Sequence, residues 1–447
     1  MVLNTSASLQ MSQDAHAVDA TQASLVGTPV TVEESGLSLL LLEDIVSRQL
    51  QESGVSDIRS LSVKTCLSSR LLDIVIEGMR ADARLEVLGP AGGSKSLRYN
   101  LTDNGRRFAR EARERSGYIG PAPISSDAYV SLIQRQSVKD VRVTRQEMQD
   151  AYADVVISED LLDRLGTSLH SGKAIFIYGP AGTGKTFLCS RLIRLLQTPV
   201  LIPHAIVVGD SIVRVYDPAV HKALESTDTE SAWLSDQTDP RMVLCERPFI
   251  VSGGELTMDL LEIQKDVSTN QYLAPLQMKS THGIYMVDDL GRQRMSTDEL
   301  FNRWIVPMES GIDYLNMDSG ARLKVPFDVV LIFSTNMLPE DLDDPAFQRR
   351  IGHKIGFDYA DAAIYTKIWR QECDKRGVNF DPKIVEFAIT ELHSREAVPM
   401  LACHPRDLIG MSLDYARYSG EPDRISQDGL RLAWDNYFAR AVEAPID

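Results

Sequence analysis

One stretch of the chain has the residue types and spacing needed to bind a polyphosphate. Residues 179–186 match the pattern Gly-x-x-x-x-Gly-Lys-[Ser/Thr] of a phosphate-binding loop, or P-loop. In order they are Gly179, Pro180, Ala181, Gly182, Thr183, Gly184, Lys185 and Thr186. The glycines let successive backbone N–H groups turn toward one centre, and the start of the following helix adds positive partial charge there. The Lys185 ammonium can reach the β- and γ-phosphates, and the Thr186 hydroxyl can bind Mg²⁺. The motif predicts a site for ATP with Mg²⁺, to which the next residue, Phe187, also contributes.

The segments on either side of the motif have the patterns of a buried strand and a helix. An apolar run at 174–178 precedes it, and a largely apolar run at 187–196 follows it. This order of strand, glycine-rich turn and helix is the context in which the motif binds phosphate. The alternative is a glycine turn before an ordinary core helix, which the Lys-Thr pair and the complete context disfavour.

A second apolar strand ends in two carboxylates about 100 residues after the P-loop. Residues 284–287 are Ile-Tyr-Met-Val, and Asp288 and Asp289 follow. This is the Walker B pattern, in which Asp288 holds Mg²⁺ and Asp289 polarises the attacking water. A strand that ends in an acidic turn is the structural alternative.

Three further signals follow in an order that fits a nucleotide-hydrolysing site. The apolar strand at 329–333 leads to Asn336, whose amide can orient the lytic water. Arg349 and Arg350 lie beside a helix end, where a ring of subunits could present a cation to a neighbour's γ-phosphate. Arg406 is in the first turn of a C-terminal helix, within reach of the phosphates. Each signal alone is also compatible with ordinary surface polarity, so their order and spacing carry the argument.

With these motifs the chain resembles the AAA+ ATPase family over roughly residues 138–447. By that resemblance Asn336 matches sensor 1, Arg349 or Arg350 the arginine finger, and Arg406 sensor 2. The resemblance implies an α/β fold with a P-loop αβα core, a C-terminal helical lid and assembly into a homo-oligomeric ring, usually a hexamer.

Within that family the chain looks most similar to the MoxR-like branch. Residues 299–311 resemble the branch's helix after Walker B. Residues 312–315 and 323–327 flank a turn at 318–320, which predicts a β-hairpin where the branch carries a hairpin insertion. Residues 251–257 occupy the place of a pore-facing insert.

The sequence departs from the family pattern at Asp289, because most AAA+ proteins have glutamate there. Aspartate is one methylene shorter, so its carboxylate can fall short of the water. Slow hydrolysis, with ATP acting as a switch for assembly, is therefore an alternative to fast turnover.

The composition and patterning divide the chain into five parts. These are a disordered leader at 1–35, a winged-helix-like α+β domain at 36–117, a linker at 118–137, the nucleotide-binding core at 138–358 and the helical lid at 359–447. In the lid, helix starts are predicted at Asp381-Pro382, His404-Pro405 and Ser426 from their capping residues.

The N-terminal domain resembles a winged helix, with a hairpin at 84–102 and a basic helix at 106–115. The helix at 67–79 takes the recognition position, and its predicted buried residues are Leu71, Leu72, Val75, Ile76 and Met79. Duplex binding needs an excess of cations, but residues 36–117 hold 13 basic and 11 acidic side chains. The pattern therefore favours protein docking over DNA binding, while DNA stays open as a partner.

The overall composition indicates a soluble protein of the cytoplasm. The net charge of -16, from 47 basic and 63 acidic residues, disfavours nonspecific adhesion to nucleic acid or anionic membranes. We expect no membrane span and no secretory signal. We also expect reduced cysteines, because the five cysteines have no C-x-x-C spacing. We predict an ATP-hydrolysing ring that remodels or assembles a protein client; a DNA-binding regulator and a slow nucleotide switch are the alternatives.

Overall fold

The computed structural model describes residues 27–90, 96–224, 239–342 and 345–438. The α-helices of these residues are α1 Val32–Ser35, α2 Leu39–Ser53, α3 Ile58–Thr65, α4 Ser69–Ala81, α5 Asp103–Arg115, α6 Ser126–Arg135, α7 Arg145–Ala151, α8 Glu159–Ser171, α9 Lys185–Ser190, α10 Leu276–Lys279, α11 Thr297–Ser310, α12 Pro345–Gln348, α13 Ala362–Arg376, α14 Pro382–Phe387, α15 His404–Tyr418 and α16 Gln427–Tyr437.

The β-strands of the same residues also follow in chain order. They are β1 Ser56–Asp57, β2 Leu85–Leu88, β3 Arg98–Leu101, β4 Ile124–Ser125, β5 Ile175–Tyr178, β6 Val200–Pro203, β7 Ala205–Val208, β8 Ser211–Arg214, β9 Met242–Cys245, β10 Phe249–Ser252, β11 Gln264–Asp266, β12 Gln271–Leu273, β13 Ile284–Val287, β14 Ile312–Asn316, β15 Arg322–Pro326, β16 Val330–Thr335 and β17 His353–Gly356.

Some predicted segments fall partly outside the described residues. The leader predicted at 1–35 lies outside them up to residue 26, and α1 occupies Val32–Ser35. Residues 91–95 of the predicted hairpin turn and residues 439–447 of the predicted lid also lie outside. Within the described part of the chain, no helix is long and apolar enough to cross a membrane.

The chain folds into two compact units, each built from three segments that are separate in the sequence. Of the described residues, the first unit contains those within 27–141, 196–286 and 293–331, and the second contains those within 142–195, 287–292 and 332–438.

In the first unit, the N-terminal helices pack on a three-stranded sheet of order β1-β3-β2. The predicted hairpin is confirmed, because β2 and β3 pair antiparallel with Leu85 opposite Leu101. The predicted apolar face of α4 is also confirmed, and its buried residues are Leu71, Leu72, Val75, Ile76 and Met79.

Charged side chains of α2 are buried beneath α5. Arg48 is 1% exposed and donates hydrogen bonds to the carbonyls of Ala112 and Ser116 at 3.0 and 3.1 Å. Burial lowers the pKa of Arg48 to about 10. Asp44 accepts a 2.6 Å hydrogen bond from Arg115, so α2 and α5 are joined by polar contacts as well as by apolar packing.

A mixed sheet of order β11-β12-β8-β7-β4 forms the other large part of the first unit. Its edge strand β4 and the following α6 lie in the segment predicted to be a linker. The Asn270 amide, next to β12, donates to the carbonyls of Arg113 and Glu114 at the end of α5. Buried Arg241 donates to the carbonyls of Ser35 and Pro123. These bonds fasten the N-terminal helices to the sheet.

The hairpin predicted at 312–327 is confirmed in the same unit. β14 and β15 pair antiparallel over five residues of each strand, from Ile312 opposite Pro326 to Asn316 opposite Arg322.

The second unit contains parallel strands flanked by helices. β5 pairs parallel with β16 on one side and with β17 on the other. The N–H of Leu290, just after β13, donates to the carbonyl of Ser334 at 2.8 Å, so the end of β13 lies beside β16. The predicted α/β fold, with a parallel sheet and a helical C-terminal region, is confirmed.

The C-terminal helices α13 to α16 share a core rich in aromatic residues. Their predicted starts are confirmed, because Asp381 and Ser426 cap α14 and α16 and α15 begins at His404. Large side chains buried in this core include Tyr365, Trp369, Leu408, Leu413, Leu430 and Trp434.

Two histidines stack inside this core, with ring centres 5.2 Å apart. His393 Nδ1 donates to the carbonyl of Val398, and its Nε2 accepts from the Tyr365 hydroxyl. His404 Nδ1 accepts from the N–H of Leu401 at 3.3 Å. These bonds suit neutral imidazoles, and burial lowers the pKa of His404 to about 4.

This depressed pKa predicts a loss of stability in mild acid. As pH falls from about 6.5 to 4, the unfolded chain binds a proton at His404 that the folded chain resists. The free energy of unfolding should therefore decrease by about 1–3 kcal/mol from this residue. Chemical denaturation of wild type and His404→Gln from pH 8 to 4 measures the difference, which should shrink as pH falls. The exposed His170→Gln is the control, and parallel curves for wild type and His404→Gln would contradict the prediction.

Candidate functional site

The P-loop joins β5 to α9 in backbone conformations that favour glycine. Gly179, Gly182 and Gly184 have φ values of 142°, 83° and 91°. A Cβ at Gly179 would lie 2.1 Å from the carbonyl oxygen of Phe357, which follows β17. Gly184 precedes α9 without a side-chain cap, so the first N–H groups of the helix can face an anion.

The Lys185 ammonium is buried within the loop. It donates to the carbonyls of Gly179 and Pro180 at 2.7 and 2.9 Å, and to Asn336 Oδ1 at 2.8 Å. The residue is 7% exposed, and burial lowers its pKa, although the nearby Asp288 and Asp289 carboxylates act in the opposite direction. The predicted phosphate-binding lysine and the predicted sensor 1 amide therefore meet directly.

Thr186 and Asp288 form the oxygen pair expected of a magnesium site. The Thr186 hydroxyl donates to Asp288 Oδ2 at 2.6 Å. Hydroxyl and carboxylate oxygens are ligands that Mg²⁺ accepts, with phosphate oxygens and water completing the coordination. The donor set fits the predicted metal. Among the described residues, no group of three or more His, Cys, Asp and Glu side chains forms a separate metal site.

Asp289 lies at a sharp turn of the backbone after β13. Its φ of 49° is in the left-handed region, which is uncommon for a residue other than glycine. The Asp289 N–H donates to the Asp288 carboxylate at 3.1 Å. Arg292 Nη1 lies 3.8 Å from the carboxylate of Asp289. The turn is also held by the Thr335 hydroxyl, which donates to the carbonyl of Leu290.

The three predicted arginines occupy different surroundings. Arg349 is exposed and Arg350 partly exposed, both just after α12. Arg406 lies in the first turn of α15, where its Nε donates to Asp407 at 2.8 Å and this bond raises the pKa of Arg406. Their proposed contacts with phosphate remain predictions.

The start of α15 contacts the P-loop itself. The Cys403 N–H donates to the carbonyl of Gly182 at 3.2 Å, and a Cβ on Gly182 would lie 2.7 Å from the Cys403 sulfur. Sequence reasoning missed Cys403, because the contact joins residues more than 200 positions apart. The only local signal was the glycine at 182, which indicates a close approach without naming its partner.

A second set of contacts that sequence reasoning missed joins α9 and the residue after it to the segment that follows α7. Asp154 accepts hydrogen bonds from Arg191, which follows α9, and the Tyr152 hydroxyl donates to the carbonyl of Leu188 at 2.6 Å. No pattern at 152–154 marks these residues, since an acidic residue before a helix is common.

Comparisons with known proteins find similarity to parts of the chain. A family profile described as a domain of unknown function, DUF8689, matches residues 361–436 in the C-terminal helical region. No curated protein sequence matches the chain significantly.

Two solved structures serve as examples of the structural matches, which are low in overall similarity. RuvB from Thermotoga maritima, described as a Holliday junction branch migration motor, is 13% identical with a TM-score of 0.35, and the match covers 67% of this chain and 72% of that one. NtrX from Brucella abortus, in complex with ADP, is 13% identical with a TM-score of 0.39, covering 77% and 69%.

Proposed function

We propose that this chain is an AAA+ ATPase that binds ATP with Mg²⁺ and hydrolyses it. The observation that carries the proposal is the cluster of Lys185, Thr186, Asp288 and Asn336. It combines a buried ammonium, an oxygen pair and an amide at the start of one helix. A purely structural lysine needs neither the glycine conformations of the loop nor the Thr186–Asp288 pair.

Each residue of the cluster has a chemical role in this proposal. Lys185 exchanges its carbonyl partners for β- and γ-phosphate oxygens, and Asn336 orients the attacking water. Thr186 and Asp288 would hold Mg²⁺, which when bound neutralises charge on the phosphate oxygens. Asp289 accepts the proton of the water as it attacks. The residues from Gly179 to Gly184, except Pro180, supply backbone N–H groups to the phosphates, and Phe187 completes the binding set.

Removal of the ammonium provides the first test. Lys185→Ala should weaken ATP binding at least about tenfold, because each charged hydrogen bond contributes about 1.5–3 kcal/mol. Isothermal titration calorimetry measures the affinity, and thermal unfolding shows whether the variant is folded. Lys367→Ala removes an exposed lysine of α13 and should bind like wild type. A folded Lys185→Ala protein with unchanged affinity would rule out the proposal.

The role of Asp289 separates a hydrolase from a binding switch. Asp289→Asn should still bind ATP but lose at least about a hundredfold in turnover, as expected for a general base. If the short side chain limits the rate, Asp289→Glu should turn over faster than wild type. The rate of phosphate release measures turnover in wild type, Asp289→Asn and Asp289→Glu. Equal turnover in wild type and Asp289→Asn would exclude Asp289 as the base, and wild-type turnover below about one per minute would favour the switch.

We also propose that the chain works as a homo-oligomeric ring, a hexamer by family resemblance, in which one subunit supplies Arg349 or Arg350 to the ATP of its neighbour. The exposure of Arg349 and partial exposure of Arg350 are compatible with this role. Arg406 is proposed to sense the phosphates from α15.

The arginine proposal predicts an effect on turnover that depends on assembly. Replacing the finger by alanine should leave ATP binding within about twofold of wild type but reduce turnover by about 10³-fold or more. Arg349→Ala, Arg350→Ala and the double variant identify the residue, with exposed Arg370→Ala as control. Activity should also rise with protein concentration in wild type. Unchanged turnover in the double variant would reject the arrangement.

The N-terminal part is proposed to be a winged-helix-like module that docks a protein client in the cytoplasm. The order α2, β1, α3, α4 and the β2–β3 hairpin supports this topology. The exposed side of α4 includes Arg70, Asp73, Glu77 and Arg80, so its two cations are balanced by two carboxylates and it offers no net positive charge to phosphates. DNA therefore remains the less favoured partner.

A further inference from the structure

Phe187 is an exposed aromatic residue in the first turn of the P-loop helix. It is 47% exposed, whereas Lys185, Leu188 and Cys189 of the same helix are buried. It directly follows Thr186, whose hydroxyl contacts Asp288. Phe187 therefore lies in the first turn of the helix that follows the P-loop, two residues after Lys185.

The ring is held in place by a neighbouring ion pair. The guanidinium carbon of Arg191, one turn further along the chain, lies 4.8 Å from the ring centre of Phe187. Arg191 is held in turn by Asp154, whose two carboxylate oxygens accept hydrogen bonds from Nη1 at 2.9 and 2.7 Å. These bonds lower the pKa of Asp154.

We interpret this arrangement as a binding surface and not as a chance result of packing. Single exposed apolar residues are common in proteins and need no explanation. Here, however, an arginine fixed by a carboxylate covers part of an aromatic ring, and nearly half of the residue faces solvent beside the phosphate loop. An aromatic ring with a cation against it can stack on a nucleobase, and the cation strengthens the binding of the π systems.

We propose that Phe187 is the stacking platform for the base of the bound nucleotide, and that Arg191 and Asp154 are its positioning residues. The proposal rests on the proposed binding of ATP at the P-loop. It assigns the triphosphate to Lys185 and the loop, and the base to Phe187. Because stacking increases with the area of the rings, purine nucleotides should bind more tightly than pyrimidine nucleotides.

The test separates binding of the base from binding of the phosphates. Full-length wild type and variants are titrated with ATP, CTP and inorganic tripolyphosphate, each with Mg²⁺. Phe187→Ala should raise the Kd for ATP about five- to hundredfold, as loss of base stacking does, and leave the Kd for tripolyphosphate within about twofold. The preference for ATP over CTP should fall toward one.

Further variants test the positioning role and the fold. Phe187→Trp should preserve the affinity for ATP, and Phe187→Leu replaces the alanine variant if that protein does not fold. Arg191→Ala should raise the Kd for ATP but not for tripolyphosphate, with a smaller effect than Phe187→Ala. Tyr418→Ala removes an aromatic residue that is 91% exposed at the end of α15 and should change none of the affinities.

Two results would overturn the assignment. If Phe187→Ala leaves the Kd for ATP unchanged, or weakens ATP and tripolyphosphate equally in a folded protein, Phe187 does not bind the base. A wild-type protein that binds neither ligand would instead contradict the proposed function itself. If wild type binds ATP but tripolyphosphate too weakly to measure, the ratio of ATP to CTP affinities decides, and an unchanged ratio in Phe187→Ala overturns the proposal.

Discussion

The site depends on a single ammonium group that is held away from water. A buried lysine is stable in charged form only when acceptors replace its hydration, and the carbonyls of Gly179 and Pro180 with the amide of Asn336 provide them. To offer these carbonyls, the loop must adopt the positive φ angles that glycine allows. The tight contact of Gly179 with the carbonyl of Phe357 then fixes the loop against the strand end. The Lys185 ammonium thus joins the P-loop to Asn336, which follows β16.

Buried charges are also matched by hydrogen-bond acceptors far from this site. The N-terminal helices are fastened through buried Arg48 and Arg241, which donate to backbone carbonyls. Breaking such contacts leaves buried charge without partners, which costs more than the loss of an exposed ion pair. The N-terminal module is therefore built as part of the first unit, with its outer surface available for contacts.

The parts of the fold that could be predicted from the sequence are those with local causes. The P-loop, the apolar face of α4 and the hairpin of β14 and β15 all follow from glycine placement and periodicity within a few residues. Asn336 could be placed at the site because strand order brings the ends of parallel strands together. By contrast, the strand β4 and helix α6 lie where Pro121 and Pro123 suggested a linker, since a two-residue strand gives no periodic signal. The bond from Cys403 to Gly182 and the pair of Asp154 with Arg191 could not be predicted, because no sequence pattern marks Cys403 or Asp154 as a partner of these residues.

The contact between Gly182 and Cys403 has a mechanical consequence. α15 has 15 residues, so at 1.5 Å per residue it is about 22 Å long, and it is attached at one end to a peptide plane of the loop. By simple geometry, a tilt of about 10° at that attachment displaces the far end by about 4 Å. A displacement of the P-loop at Gly182 would therefore pass through this main-chain bond to α15, and for a tilt of the helix it would be larger at the far end than at the attachment.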